Sequence, residues 1–166
     1  IGINIHNIEN EIQISKQKRT DDVSTANKTG KELYKNTEDD IEQLLSVLSK
    51  TNLNYQLIAD ELSEEILQCS IDYFNEYYNS ETDAGDDALK LINLAKKIAV
   101  GDKLKDRISD NIPNIKEYVD EKPERERLKP VQSDINFIYD RIKKIGSPGK
   151  MADAPIFATD LVNDCK

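Results

Sequence analysis

The sequence has little histidine or cysteine, two residue types on which many catalytic and metal sites depend. Among its 166 residues there is no tryptophan, one methionine, one histidine and two cysteines. The lone histidine, His6, has no sequence partner for a metal site or a catalytic triad, so we expect it to be structural or at the surface. Two cysteines, Cys69 and Cys165, are too few for a disulfide framework, which favours a reducing, cytoplasmic setting.

Long apolar runs and an excess of basic residues are also missing. No apolar run approaches the roughly 20 residues that a transmembrane helix needs, and no signal peptide is recognisable. The net charge of −9 disfavours nucleic acid and anionic membranes as partners, because both are bound by basic surfaces. We therefore expect a protein or peptide partner, with no nucleic acid and no membrane.

The sequence signatures of common active sites are absent. There is no phosphate-binding glycine loop, no His/Cys metal spacing and no nucleophile elbow. The sequence therefore predicts a protein that is not an enzyme and that carries no cofactor.

Residues 54–100 carry the strongest pattern in the chain and predict two amphipathic helices. Apolar residues recur every three or four positions in both halves, which draws one buried stripe along each helix. In the first half these are Ile58, Leu62, Ile66, Cys69, Tyr73 and Tyr77. In the second half they are Ala88, Leu91, Ile92, Ala95, Ile98 and Ala99.

A polar turn, SETDAGDD, separates the two halves and predicts a helical hairpin. Asn54 is expected to cap the first helix, and Asp86 or Asp87 the second, since their side-chain oxygens can accept an unpaired backbone N–H. One hairpin leaves apolar surface uncovered, so other helices must pack against it.

Helical periodicity continues on both sides of this hairpin. It predicts helices over residues 1–16 and over residues 37–50, the latter with Thr37 as its cap. Residues 20–35 are left open as either a weak helix or a mobile loop. Beyond the hairpin we expect helices at 102–121, 133–145 and 155–165.

Two features interrupt the C-terminal helices in this prediction. Pro113 is expected to kink or split the helix over residues 102–121, and residues 122–130 read as a charged linker between two prolines. The overall prediction is an all-α protein of about six to seven antiparallel helices, either a bundle or a helical-repeat-like array. It is a single domain over residues 1–166, expected to be a fragment of a longer chain.

Part of the hairpin resembles a known repeat. Tyr73, Phe74 and Tyr77 come late in its first helix, and Ala88, Leu89, Ile92 and Ala95 lie in its second. Over roughly residues 66–100 this arrangement resembles a tetratricopeptide repeat, without a second copy at a fixed period. The resemblance implies a helical-repeat-like interaction or scaffold surface, in which polar residues of the first helix line the concave face.

Three polar residues of the first helix are the candidate binding site. Gln68, Asp72 and Asn75 are four and three residues apart and project on one side of the helix. Such a row can bind a peptide backbone or a basic side chain, which suits the negative charge of the chain.

Two alternatives to an interaction domain stay open. Glu64, Glu65, Asp83 and Asp86 resemble the paired acidic motifs of all-α nucleotide pyrophosphohydrolases, a family whose carboxylates hold Mg²⁺. A solvated acidic face followed by a capping turn explains the same acids more simply. The other alternative is a structural or oligomerisation segment of a multidomain protein, and the sequence leaves the oligomeric state open.

Overall fold

The described part of the chain is built from six α-helices. The computed structural model describes residues 1–78 and 80–145. In chain order the elements are α1 (Gly2–Asp21), a 3₁₀ turn (Val23–Thr25), α2 (Ala26–Val47), α3 (Leu53–Tyr77), α4 (Gly85–Ile98), α5 (Asp102–Asp120) and α6 (Lys122–Ile145). These residues contain no strand, so the all-α prediction is confirmed.

The chain divides into two compact units. Helices α1 to α5 belong to the first unit, Ile1–Asp120, and α6 belongs to a second unit that begins at Glu121. A single domain over residues 1–166 stays a prediction.

Helix α3 is the centre of the first unit. It contacts α1, α2, α4 and α5, and its stripe residues Ile58, Leu62, Ile66 and Cys69 are buried. Burying one large aliphatic side chain is worth about 1.5–3 kcal/mol relative to leaving it exposed. The other helices contribute the large buried side chains Ile8, Ile12, Leu33, Leu44, Leu91, Ile92 and Ile108.

Small residues allow α3 and α4 to approach closely. The Ser63 hydroxyl on α3 donates to the Ala95 carbonyl on α4 at 2.8 Å, and the Ser70 hydroxyl donates to the Ala88 carbonyl at 2.8 Å. Both pairs are seven residues apart on each helix, so they recur every two turns. They satisfy two buried hydroxyls that would otherwise cost free energy.

Helix α2 begins earlier than predicted, and Thr37 is not a cap. The segment 20–35, left open between helix and loop, is helical apart from a short 3₁₀ turn. Thr37 lies inside α2, is 1% exposed, and its hydroxyl donates to the Leu33 carbonyl at 2.8 Å. This bond to the preceding turn lets a buried threonine sit in a helix interior.

The caps of the central hairpin also differ from the prediction. Asn52, not Asn54, caps α3, accepting from the backbone N–H groups of Asn54 at 3.0 Å and Tyr55 at 3.4 Å. Neither predicted aspartate caps α4. Asp86 and Asp87 lie in its first turn, where negative charge favours the positive end of the helix dipole.

The stripe of α3 shifts at its C-terminal end. Phe74 is 8% exposed and belongs to the core, whereas Tyr73 and Tyr77, both assigned to the stripe, are only partly buried. Phe74 contacts Tyr78 and Tyr118 with ring centroids 5.4 and 5.1 Å apart. An aromatic cluster therefore closes this end of the unit against α5.

Prolines interrupt the C-terminal helices less than predicted. Pro113 lies inside a continuous α5 and does not split it. The charged linker predicted over residues 122–130 is wrong, because α6 starts at Lys122 and contains Pro130. Pro123 falls in the first turn, where a missing N–H costs nothing.

The predicted helix 133–145 forms the later part of α6, and the predicted helix 155–165 lies outside the described residues.

Candidate functional site

A buried ion pair joins α1 to α3. Arg19 donates from Nε to Glu65 Oε1 at 3.0 Å and from Nη2 to Glu65 Oε2 at 3.1 Å. The Glu65 side chain is 2% exposed and the Arg19 side chain 17%. The hydrogen bonds that Arg19 donates to Glu65 raise the pKa of Arg19 above its usual value, against the opposing effect of burial. The pair is a bidentate bridge that fixes two helices.

This ion pair continues into a network that reaches α5. Arg19 Nη1 also donates to Asp72, and Gln68 Nε2 donates to Asp72 Oδ1 at 2.7 Å. Gln68 Oε1 in turn accepts from Arg107 Nη2 at 2.8 Å, and Arg107 Nη1 pairs with Glu64. Polar side chains of α3 thus tie α1 on one side to α5 on the other.

The predicted binding row lies partly within this network. Gln68 and Asp72 are joined to each other, and both are engaged by arginines of neighbouring helices. Asn75 is exposed and lies one turn further along α3. A binding role for the row stays a prediction, but a ligand of Gln68 or Asp72 would have to compete with these internal bonds.

The four acidic residues of the phosphohydrolase alternative lie in separate surroundings and have different partners. Glu64 pairs with Arg107, and Glu65 is buried against Arg19. Asp83 Oδ1 accepts from the Gly85 backbone N–H at 3.1 Å, beside Asp86 at the start of α4. Within residues 1–78 and 80–145, no group of three or more His, Cys, Asp or Glu side chains is arranged to hold a metal.

Cys69 is a core residue, as predicted, and not an activated thiol. It is fully buried, with Sγ 3.6 Å from Glu65 Oε1 and 3.7 Å from Ser15 Oγ. Burial, and next the negative charge of Glu65, raise the pKa of Cys69 to about 12. A thiol with so high a pKa is a poor nucleophile at neutral pH.

A concave surface of the first unit lies elsewhere, where α2 meets the start of α3 and the end of α4. This cleft has a volume of about 400 Å³, which is within the size range of ligand pockets. Its floor is apolar and its rim is charged. The floor is formed by the buried side chains Ile41, Tyr55 and Ile98, and the more exposed rim by Tyr34, Glu38, Glu42, Leu45 and Lys97.

The rim of the cleft is electrostatically negative around Tyr34. The Tyr34 hydroxyl donates to Glu38 Oε1 at 2.8 Å. Burial raises the pKa of Tyr34 to about 12, with further contributions from the hydrogen bond to Glu38 and from the charges of Glu38 and Glu42. The cleft therefore combines an apolar floor with a rim that carries two carboxylates, of Glu38 and Glu42, and one ammonium group, of Lys97.

The sequence pattern did not point to this cleft. Its lining comes from three helices, and only the i, i+4 spacing of Tyr34 with Glu38 and Glu38 with Glu42 was visible in sequence. That spacing places the three side chains on one face of α2. Which parts of α3 and α4 would lie opposite them depends on helix packing.

Two further observations bear on identity. None of the helices in the described ranges is long and apolar enough to cross a membrane. Comparisons of the chain with models of protein families, with curated proteins and with solved structures returned no match.

Proposed function

We propose that this chain is a non-catalytic protein-interaction or scaffold domain and that the cleft between α2, α3 and α4 binds a short peptide segment of a partner. The observation that carries the proposal is the cleft itself, in which an apolar floor lies beside Glu38 and Glu42. An apolar side chain followed by a lysine or arginine is complementary to both parts.

The overall charge and the helical hairpin support the same function. A net charge of −9 attracts basic segments and increases their rate of encounter with the domain. The tetratricopeptide-like arrangement of residues 66–100 is part of the proposal, since helical repeats present grooves to peptides. A reducing, cytoplasmic setting is consistent with the free thiol of Cys69.

We propose that the domain is not catalytic because its buried polar side chains are already engaged inside the fold. The buried carboxylate of Glu65 already accepts hydrogen bonds from Arg19 and Ser15. The buried thiol of Cys69 carries a raised pKa. Groups of this kind stabilise a fold, and neither faces the cleft.

Peptide display against the full chain tests the proposal. Peptides enriched on the wild-type protein are expected to carry an apolar residue next to Lys or Arg. They should bind at least tenfold more weakly to a Glu38→Lys/Glu42→Lys variant, which reverses the charge of the rim.

A matched control distinguishes the effect of charge at the cleft from the effect of the overall net charge. Glu9 and Glu76 are exposed carboxylates on α1 and α3 outside the cleft, so Glu9→Lys/Glu76→Lys makes the same change in net charge. Retained binding by this control supports the cleft. If both double variants lose binding equally, or if no peptide is enriched, the proposed site is wrong.

A further inference from the structure

Helix α6 carries an exposed row of apolar side chains in the second unit. The row members are Leu128, Val131, Ile135, Ile138 and Ile142. Between 46% and 57% of the surface of each is exposed. Monomeric proteins rarely expose a contiguous apolar row of this length to water. Such a row marks an interaction surface.

The spacing of this row is that of a coiled coil. Its members alternate three and four residues apart, which gives an average period of about 3.5 residues and defines the a and d positions of a heptad. With Leu128 at a, both prolines of α6, Pro123 and Pro130, fall at position c. The residues that disturb a helix therefore lie away from the apolar seam.

We infer that α6 pairs with α6 of a second copy of this chain in an antiparallel, two-stranded coiled coil. The apolar row supplies the seam, and the charges that flank it select the partner and the direction. This inference uses a different surface from the cleft and does not depend on the proposed peptide binding.

The flanking charges complement each other when two copies run in opposite directions. Asp134 and Arg141 both occupy position g, directly before Ile135 and Ile142. Position g faces position g in an antiparallel pair. When Ile135 packs opposite Ile138 of the second copy, Asp134 therefore faces Arg141 of the second copy. Two-fold symmetry repeats this ion pair, so one interface contains two of them.

Other arrangements of the same two helices lack this complementarity. Shifting the antiparallel pair by one heptad in either direction brings Asp134 opposite Asp134, or Arg141 opposite Arg141, of the second copy. In a parallel pair, position g faces position e, so Asp134 would face Tyr139. A shift of two heptads would bring Arg127, also at position g, opposite Asp134, but it would pack Ile135 against Glu124 in the seam. One register and one direction thus match opposite charges while keeping the seam apolar, and such combined constraints are how coiled coils select partners.

The guanidinium of Arg141 is suited to this role. It lies over the ring of Phe137, 5.1 Å from the ring centroid, on its own helix. A guanidinium has five donors and can keep an aromatic contact while pairing with a carboxylate. The stacking also orders the side chain before the second copy binds.

Sedimentation equilibrium of the full chain tests for self-association. Over a roughly hundredfold range of protein concentration, the mass is expected to rise from 18.9 kDa towards twice that value. Ile135→Asp/Ile138→Asp should keep the chain monomeric, with helicity and melting of the first unit followed by circular dichroism. Leu57→Asp changes an apolar side chain on α3 that is 63% exposed, and should leave the dimer intact.

A second pair of variants tests the direction of the helices. Asp134→Arg and Arg141→Asp each turn two attractive pairs into repulsive ones and should weaken the dimer roughly tenfold. The double variant Asp134→Arg/Arg141→Asp should restore it. These are surface substitutions, so loss of folding does not confuse the result.

Leu128→Cys, in a Cys165→Ser background, provides an independent measure of direction. In a parallel dimer the two introduced cysteines are adjacent and form a disulfide, whereas the antiparallel register separates them by about 25 Å along the helix axis. We expect no disulfide-linked dimer.

Four results would overturn the inference. A monomer at every concentration would show that something else, such as another protein, covers the apolar row. A trimer, a charge swap that fails to restore the dimer, or a rapid disulfide through Leu128→Cys would each exclude the antiparallel pair.

Discussion

Arg19 and Glu65 form two parallel hydrogen bonds across the interface of α1 and α3, at 3.0 and 3.1 Å. Removing one partner leaves the other charge buried without its main counter-ion. Glu65→Ala is therefore expected to lower the free energy of unfolding by about 3 kcal/mol, measured by urea denaturation. The remaining contact of Arg19 with Asp72 keeps the loss at the lower end of the usual range.

The exposed pair Lys16–Glu61 is the matched control for this prediction. It joins the same two helices at 3.1 Å, but the two side chains are 40% and 44% exposed. Glu61→Ala should cost about 0.5 kcal/mol or less, because water screens exposed pairs. Equal losses for Glu61→Ala and Glu65→Ala would contradict the structural role of the buried pair.

Gly30 lies where α2 packs closely against α3 and α4. A Cβ atom added there would lie 2.9 Å from Cys69 Cβ and 3.1 Å from Leu91 Cδ2. Gly30→Ala should therefore destabilise the fold, because overpacking costs about 1–3 kcal/mol and the gain in helix propensity is only about 1 kcal/mol. Gly2→Ala is the control, since nothing lies within 4 Å of its added Cβ. A more stable Gly30→Ala protein would show that the three helices pack less closely.

The Cys69 thiol is expected to resist labelling in the folded state. In a Cys165→Ser variant, reaction with a thiol reagent at pH 8 should be slowed by at least about 10³-fold relative to the urea-unfolded chain, because burial and the raised pKa both suppress the thiolate. The remaining reaction should follow the rate of opening of the fold. Rapid labelling of the native protein would place Cys69 near the surface.

The raised pKa of Tyr34 predicts a loss of stability in alkali. Because the folded-state pKa of Tyr34 is about 12 against an ordinary value of 10.0, the fold favours the neutral phenol. This contribution is fully present below pH 10 and is lost as the pH rises from 10 to 12. The wild-type protein should therefore lose more stability than Tyr34→Phe over this range, as measured by urea denaturation.

Glu38→Gln separates the causes of that shift. It removes the charge of Glu38 and leaves burial, the larger cause, in place. The Tyr34 pKa, obtained as the difference between ultraviolet titrations with and without Tyr34→Phe, should fall only part of the way to its ordinary value. An unchanged Tyr34 pKa in Glu38→Gln would mean that the charge of Glu38 does not act on the rim of the cleft.

The periodic apolar residues made the helices and their buried faces predictable. Leu62 and Ile66 lie at the centre of the core because only a helix brings such spacing to one side. Helix ends were less predictable. Thr37 was expected at a helix start, but a threonine hydroxyl can equally bond the preceding turn of its own helix. Asn52 and Asn54 are both suitable caps, and the turn before α3 decides between them.

Polar partners distant in sequence could not be predicted. Arg19 and Glu65 are 46 residues apart, and no local pattern links them. Asp72 was recognised as a polar residue beside the stripe, but only the packing of α1 on α3 shows that Arg19 engages it. The residue types of the candidate site were visible in the sequence, whereas their engagement within the fold depends on tertiary structure.

Mapping a display-selected peptide on the ¹⁵N-labelled full chain by NMR shows whether the cleft of the first unit binds a partner peptide. We expect the largest shift changes at the backbone amides of Glu38, Ile41, Leu45, Tyr55 and Ile98, which line the cleft. Largest changes at Gln68, Asp72 and Asn75 would contradict it and would place the partner on the polar row of α3 instead.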